Sequence, residues 1–425
     1  MIVRFFTNAA RRIMVGPQQE FVFKAVASES FKVPHIQKLG LYIHIPFCKS
    51  ICPFCPYNKI KYDKNLTNPY LNAVLKEIEL YHAQVGAVEI SSIYIGGGTP
   101  TNLIDELGVM LQEIKKKFVV TGAICMETSV ADIDEDVVTK MKEHGITSLS
   151  IGVQSFQDKH LAFLGRNYRA AAIAPALALV KKAGFSVVNS DLMFALSGQT
   201  VDDVRADLDQ AIALGVDQIT TYPLFTFPYS AIGRFMQLKK LKMPTLRVRR
   251  TMYKTIHNFL LRNGFTRVSV WGFKKGAVPR YSSVTRDYYI GLGAGAASSF
   301  PDRFYFNTFS VHAYIERLAE NRLPVAFQMT ITPALAQQYW FYWRLYDTHI
   351  SLEQVRHVCG LKSKAEWLLN LFCFLRLGTK KEGNVSLTER GSFWIHLMQN
   401  YFVLNYINKV WTTAMKNPWP ERIEI

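Results

Sequence analysis

Tyr42-Ile43-His44-Ile45-Pro46-Phe47-Cys48-Lys49-Ser50-Ile51-Cys52-Pro53-Phe54-Cys55-Pro56-Tyr57-Asn58 is a β-like run that breaks into a proline-punctuated loop carrying three cysteines. The spacing puts Cys48, Cys52 and Cys55 close enough to converge on a single metal centre. Iron-sulfur clusters ordinarily take four cysteine thiolates, so three here predict a cluster with one iron lacking a protein ligand. A closed structural zinc site would need a fourth ligand, for which His44 is the candidate. Three unrelated buried thiols are the plainest alternative.

Downstream of the loop the chain settles into a βα rhythm. Asn68-Pro69 reads as a helix start, with Leu71, Val74, Leu75, Ile78 and Tyr81 recurring at helical spacing. A β-like Ser92-Ile93-Tyr94-Ile95 then ends in Gly96-Gly97-Gly98-Thr99-Pro100, followed by a helix containing Leu103, Leu107, Met110, Leu111 and Ile114. The pattern repeats: strand 123–127, helix 134–144, strand 148–153, helix 170–183, strand 187–193, helix 201–214, strand 218–222. Glycines 145, 184 and 215 stand just past three of the helices, where a left-handed residue ends a helix. Six β units alternating with helices predict a parallel sheet that curls. In such sheets the chemistry sits at the carboxyl ends of the strands.

Hydrophobic residues make up 49% of the 425, enough for a large core and against disorder as the main state. Of the six cysteines, Cys125, Cys359 and Cys373 are scattered through apolar segments, which suits a reducing cytoplasm better than a disulfide framework. No apolar run is long enough to span a membrane; Met1–Val15 reads first as a helix docked on the core, with a basic amphipathic surface helix or a transit peptide as the alternatives. The balance of 50 Lys and Arg against 33 Asp and Glu, net +17, calls for an anionic partner. No zinc-finger, helix-turn-helix or RNA-recognition signature makes that partner a specific nucleic acid; a carboxylate-bearing substrate or a peripheral contact with an anionic membrane serves equally.

The cysteine spacing, with Phe54 just before the last cysteine, resembles the signature of the radical S-adenosylmethionine (SAM) superfamily. Its Tyr-x-His-Ile-Pro-Phe-Cys flank resembles the oxygen-independent coproporphyrinogen III oxidase family, which includes haem chaperones and radical methyltransferases. The resemblance implies a partial six-stranded βα barrel over 40–325, an N-terminal extension over 1–39 and a smaller, mainly helical, winged-helix-like domain over 326–425. It implies a 4Fe-4S cluster on Cys48, Cys52 and Cys55, one SAM or two, and a one-electron reductant such as a flavodoxin or ferredoxin.

The same resemblance assigns the cofactor contacts. Gly97, Gly98 and Thr99 belong to a glycine motif whose open backbone admits the methionyl end of SAM, and Phe54 lies beside it. Glu127 suits the methionyl amino group. Gln154 matches a motif residue that bonds a ribose or carboxylate. Arg166, after Gly165, can fork onto a carboxylate, and Asp191 suits ribose hydroxyls. Tyr42 matches the family tyrosine ahead of the cysteines, and with Gln154 it is the candidate for a role in the reaction itself. Taken one at a time, each of these could be a surface ion pair or a helix cap.

Two features bear on the reaction. The Arg-Tyr-Thr-Ser-Tyr-Pro type of segment of coproporphyrinogen oxidases is missing upstream of Leu41, and Pro56-Tyr57-Asn58 stands where Gly-Cys-Asn is expected. Radical methyl or methylene transfer, or a related carbon-carbon bond formation, therefore ranks above oxidative decarboxylation of a porphyrinogen. A haem-binding chaperone without turnover is the reading from another class. The aromatic Tyr339-Trp340-Phe341-Tyr342-Trp343, with Tyr401, Phe402, Tyr406, Trp411 and Trp419, is expected as core or domain interface, with a broad apolar or tetrapyrrole substrate, or a lipid-like one, as the sharper alternative. His312, His349 and His357 are candidates for haem iron.

Overall fold

The computed structural model describes residues 8, 21–26, 31–238, 241–282 and 288–425. Most of the basic helix expected over Met1–Val15 lies outside these residues. The six expected strands form at β1 (Lys38–Ile45), β2 (Glu89–Gly97), β3 (Val119–Ser129), β4 (Ser148–Gln154), β5 (Val187–Phe194) and β6 (Gln218–Pro223). They pair in parallel in chain order, β1 with β2 through to β5 with β6. Period-two patterning drives this: Ile93 and Ile95 of β2 are fully buried, and a bulge between Ile90 and Ser92 lets Ile90 be buried as well. Each such side chain contributes roughly 1.5–3 kcal/mol.

Helices α1 (Lys64–Val85), α2 (Ile104–Lys117), α3 (Glu135–Glu143), α4 (Ile173–Lys182) and α5 (Val201–Ala213) make the crossovers. α2 buries Leu107, Met110, Leu111 and Ile114 on one stripe and ends in Lys115, Lys116 and Lys117, which complement the negative end of its dipole. α5 opens on a capping box between Thr200 and Asp203. α1 departs from expectation. It starts at Lys64, capped by Asp63, and carries Pro69 inside rather than at its first position.

Beyond β6 the sheet continues antiparallel on one side through Gly272–Lys275 to Phe265–Arg267. Val268–Trp271 is the turn of the hairpin between these two strands, closed by Val268 N donating to Gly272 O at 2.9 Å. On the other side Tyr289–Leu292 runs parallel to β1 and leads into a meander of Ala297–Ser299, Arg303–Asn307 and Val325–Thr330. Val22–Ala25 and Arg422–Glu424 complete that side, so the first and last described strands are neighbours. The strand order is open, with no pairing between the sheet's two ends among the described residues. This is an open, partial barrel.

The C-terminal third is helical apart from a three-stranded wing, His349–Ser351, Gly378–Lys381 and Asn384–Leu387, followed by helix Glu389–Phe402. Of the aromatic stripe on helix Pro333–Asp347, only Phe341 is buried together with Leu345. His312, His349 and His357 are exposed on three different elements.

One polar group sits deep between α1 and the meander. Glu77 is fully buried and accepts from Tyr314 OH (2.5 Å), Asn307 Nδ2 (2.7 Å) and Gly293 N (2.8 Å). Burial pushes its carboxyl up to about 8 despite those donors. Between about 4.5 and 8 the native state holds a proton that the unfolded chain has lost, so stability falls as pH rises across that window and levels off above it. Comparing melting temperatures across the window, we expect Glu77→Gln to remove a pH-dependent loss on the order of 1–3 kcal/mol. Parallel curves for the two proteins would show that Glu77 does not carry it.

Candidate functional site at the carboxyl ends of the strands

The cysteine loop leaves β1 and is laced to the glycine motif by backbone hydrogen bonds: Gly98 N to Ile45 O (2.7 Å) and Thr99 N to Phe47 O (2.9 Å). The glycines are there for close approach. A Cβ on Gly98 would lie 2.7 Å from Phe47 O, and one on Gly97 (φ +117°) would lie 2.8 Å from the His44 ring. Gly97 and Gly98 therefore act first as the surface on which the cysteine loop rests.

Cys48 is buried, while Cys52 and Cys55 are partly open. The Cys48 thiol is pushed up to about 12, chiefly by burial and then by the neighbouring Cys55. Burial also raises Cys55, against the pull of Lys59. The three thiols thus feel one another. Yet among the described residues no three Cys, His, Asp or Glu side chains gather tightly enough for one metal ion. The three cysteines are free on one loop, as candidate ligands to the separate irons of a cluster.

His44 does not complete a zinc site. Its Nδ1 pairs with Tyr42 OH at 2.7 Å and its Nε2 with Asn58 O at 2.9 Å, and burial lowers its pKa to about 4, so it is a neutral structural imidazole. Phe54 packs in an apolar cluster with Leu164, Met193, Leu196, Leu224 and Ile232, against which Cys52 also rests. Gly165, at φ +64°, lets the next loop press on Pro53. That places Arg166 Nη1 at 3.4 Å from Cys52 Sγ. The guanidinium also donates to Tyr168 OH (3.2 Å), Ser129 Oγ (3.0 Å) and Gly152 O (2.8 Å), leaving one N–H for a further ligand.

The inner face of the sheet is polar. Tyr42 on β1 stacks on Tyr94 on β2, ring centroids 6.1 Å apart. Tyr94 OH donates to Glu127 on β3 and accepts from Tyr281 OH at 3.1 Å. Burial raises the Glu127 carboxyl, partly offset by the bonds from Tyr94 and Gly97. Asp191 on β5 accepts from Ser150 Oγ and Asn189 Nδ2, both at 2.9 Å. Burial, and then the charge of Glu127, pushes Asp191 up to about 7. Gln154 closes β4 in a left-handed conformation (φ 68°) beside a register shift, and its Oε1 accepts from Tyr222 OH of β6 at 2.8 Å. A non-glycine residue held there is a local cost that positions a side chain.

Tyr42, Glu127, Gln154 and Asp191, singled out by the family resemblance, lie on strands β1, β3, β4 and β5 of the one sheet, and Arg166, in the connection after β4, reaches Cys52. Tyr57, Tyr94, Ser150, Asn189, Tyr222 and Tyr281 join them without having been singled out. Tyr57 is 49% exposed, and its hydroxyl lies in the field of Glu127, Cys55 and Asp191. Its ring meets Trp411 of helix Asn408–Lys416 (6.0 Å), which stacks on Phe227 at 6.2 Å and 8°. A groove of about 660 Å³ elsewhere, between α1 and α2, is lined by Lys76, Glu79, Glu113 and Lys116 among others and touches none of these groups.

Residues 42–211, the stretch that supplies the cysteine loop and β1–β5, match the radical SAM superfamily model. Over that stretch the chain is similar to the radical SAM superfamily. Among curated radical SAM relatives, it is 29% identical to the heme chaperone HemW of Bacillus subtilis over 67% of this chain and 76% of that one. It is 26% identical to the anaerobilin synthase of Escherichia coli O157:H7 over 84% and 82% respectively. The solved structure of coproporphyrinogen III oxidase HemN from Escherichia coli superposes with a TM-score of 0.76 at 21% identity, covering 90% of this chain and 95% of that one. That superposition supports the radical SAM fold over most of the chain, including the helical C-terminal region.

Proposed function

We propose that this radical SAM protein holds a 4Fe-4S cluster on Cys48, Cys52 and Cys55 and binds SAM across Glu127, Gln154 and Asp191, with the reaction directed at a tetrapyrrole-class substrate. The observation that carries the reading is the polar floor of two buried carboxylates and four tyrosines next to three thiols that no disulfide consumes. When bound, such a cluster supplies the single electron that splits the cofactor's sulfonium and yields a 5′-deoxyadenosyl radical.

The chain's own residues would then bind and orient. Glu127 has the charge and burial to pair with the methionyl amino group. Asp191, held by Ser150 and Asn189, can accept from ribose hydroxyls. Gln154, fixed by Tyr222, keeps an amide free to donate. Tyr42 and Tyr94 wall the interior against water. Tyr57, backed by Trp411 and the buried Phe227, offers an aromatic face to a planar ring.

The names of the relatives, a heme chaperone, a coproporphyrinogen oxidase and an anaerobilin synthase, all concern tetrapyrroles. Within that class the motif departures at Pro56-Tyr57-Asn58 favour methyl or methylene transfer, with a second SAM as the carbon source, over propionate decarboxylation. Haem custody without turnover is the second reading, favoured by the likeness to HemW. A cytoplasmic setting with a flavodoxin or ferredoxin reductant fits either.

The test is anaerobic. Reconstituted, dithionite-reduced protein is given SAM with and without haem or a porphyrin, and products are separated by chromatography. We expect 5′-deoxyadenosine, and S-adenosylhomocysteine if a methyl group moves. Tight haem binding with neither product would overturn the enzymatic reading in favour of the chaperone.

A further inference from the structure

Between Gln218 and Arg286 the chain carries fourteen lysines and arginines and no aspartate or glutamate, against a net charge of +17 for the whole protein. The excess charge is therefore local. This run leaves β6, crosses the rim beside the cysteine loop and continues into helix α6 (Leu246–Arg262). It is pinned to that loop by Tyr229 OH donating to Pro56 O (2.9 Å) and Ile232 N donating to Pro53 O (3.1 Å). Leu241 and Met243 tuck against the apolar cluster that holds Phe54.

Some of these cations are consumed internally. Arg250 pairs with Glu389, Arg280 with Asp347, and Arg267 bonds Ser392 and the backbone of Leu387. Others are not. Arg234, Lys242, Arg247 and Lys254 are exposed and make no ion pair among the described residues. Interleaved with them are large apolar side chains in water: Leu238 is 64% exposed, Leu246 56% and Phe235 52%. Helix Ala231–Gln237 buries Ile232 while leaving Arg234 and Phe235 outside.

We infer that this rim is a docking surface for an anionic lipid bilayer. Cations alone would suit any polyanion, but a nucleic acid would neutralise them and leave Phe235, Leu238 and Leu246 hydrated. An anionic membrane interface takes both kinds of group at once, the apolar tips entering the acyl boundary and the cations meeting the headgroups. Because the same segment is bonded to the cysteine loop, docking would set the open end of the barrel close to the bilayer. The inference goes beyond the catalytic proposal and stands or falls separately from it.

The test is flotation of the reconstituted full chain with vesicles of phosphatidylcholine alone or mixed with phosphatidylglycerol. We expect capture only by the mixed vesicles and weakening by salt. Phe235→Ser with Leu238→Ser, and separately Lys242→Gln with Arg247→Gln, should each weaken capture about tenfold while cluster absorbance is retained. Equal capture by neutral vesicles, or no capture by either, would overturn the inference. So would tight binding to a short RNA duplex that survives Phe235→Ser with Leu238→Ser, since that would make the partner a nucleic acid.

Discussion

Anaerobically reconstituted Cys52→Ala is expected to emerge without its brown colour, its iron near background rather than about four per chain, and with no 5′-deoxyadenosine formed. Each thiolate in the proposed arrangement serves one iron, and a triad that already leaves one iron without a side chain has no spare ligand. The neighbouring histidine cannot substitute, because both His44 nitrogens are committed to Tyr42 and Asn58. The variant should fold, since Cys52 is partly exposed on a loop and lies in no strand. Cys125→Ala, Cys359→Ala and Cys373→Ala serve as controls and should keep full iron. A complete cluster in Cys52→Ala, measured by iron, sulfide and absorbance together, would refute the ligand assignment.

The second large effect concerns Asp191. Its carboxyl titrates near 7 because burial and the adjacent Glu127 both disfavour its charge. Ionised, it is the better acceptor for ribose hydroxyls, so SAM affinity should climb as pH rises through about 7. Asp191→Ala should cost roughly 10- to 100-fold in affinity, the range of a lost hydrogen bond to a charged group, with iron content unchanged. Asp191→Asn keeps the shape and removes the titration, so its affinity should be lower and flatter with pH. Equilibrium dialysis of SAM against the three proteins across that range decides the matter. An unchanged slope in the Asn variant would assign the titration to another group. The stability consequence has the opposite sense: between about 3.8 and 7 the native state retains a proton on Asp191, so raising the pH there destabilises the fold.

Much of this was legible in the order of residues. The six strands follow from apolar runs with period two, and the helix stops from glycines whose φ values of +84°, +68° and +69° at Gly145, Gly184 and Gly215 only glycine adopts easily. The cysteine triad stood out by its spacing, whereas Glu127, Gln154 and Asp191 were singled out by the family resemblance, each in the second half of its strand. The start of α1 was misread because Asn68-Pro69 is a strong local signal, yet Asp63 already caps the helix one turn earlier.

The inner tyrosines were missed for a different reason. Tyr94, Ser150, Asn189 and Tyr222 are ordinary strand residues when read singly. Their signal was collective: each sits in the phase opposite the fully buried Ile93, Leu149 and Ile219 or the nearly buried Val188 on its own or a neighbouring strand. In a curled sheet that phase must face the interior. Tyr281 and Trp411 could not have been placed by any such rule, because only the tertiary path brings residues so distant in sequence to Tyr94 and Tyr57.

The pairing of Val22 with Glu424 closes a loop of about 400 residues, among the most distant contacts a chain of this length can make. Such a ladder cannot form until Arg422–Glu424 has been synthesised, some 400 residues after Val22–Ala25. Val22–Ala25 can pair with Val325–Thr330 before then, but its other edge stays open until Arg422–Glu424 arrives. That interval is when a nascent chain of this protein is most exposed to edge-to-edge association with its neighbours.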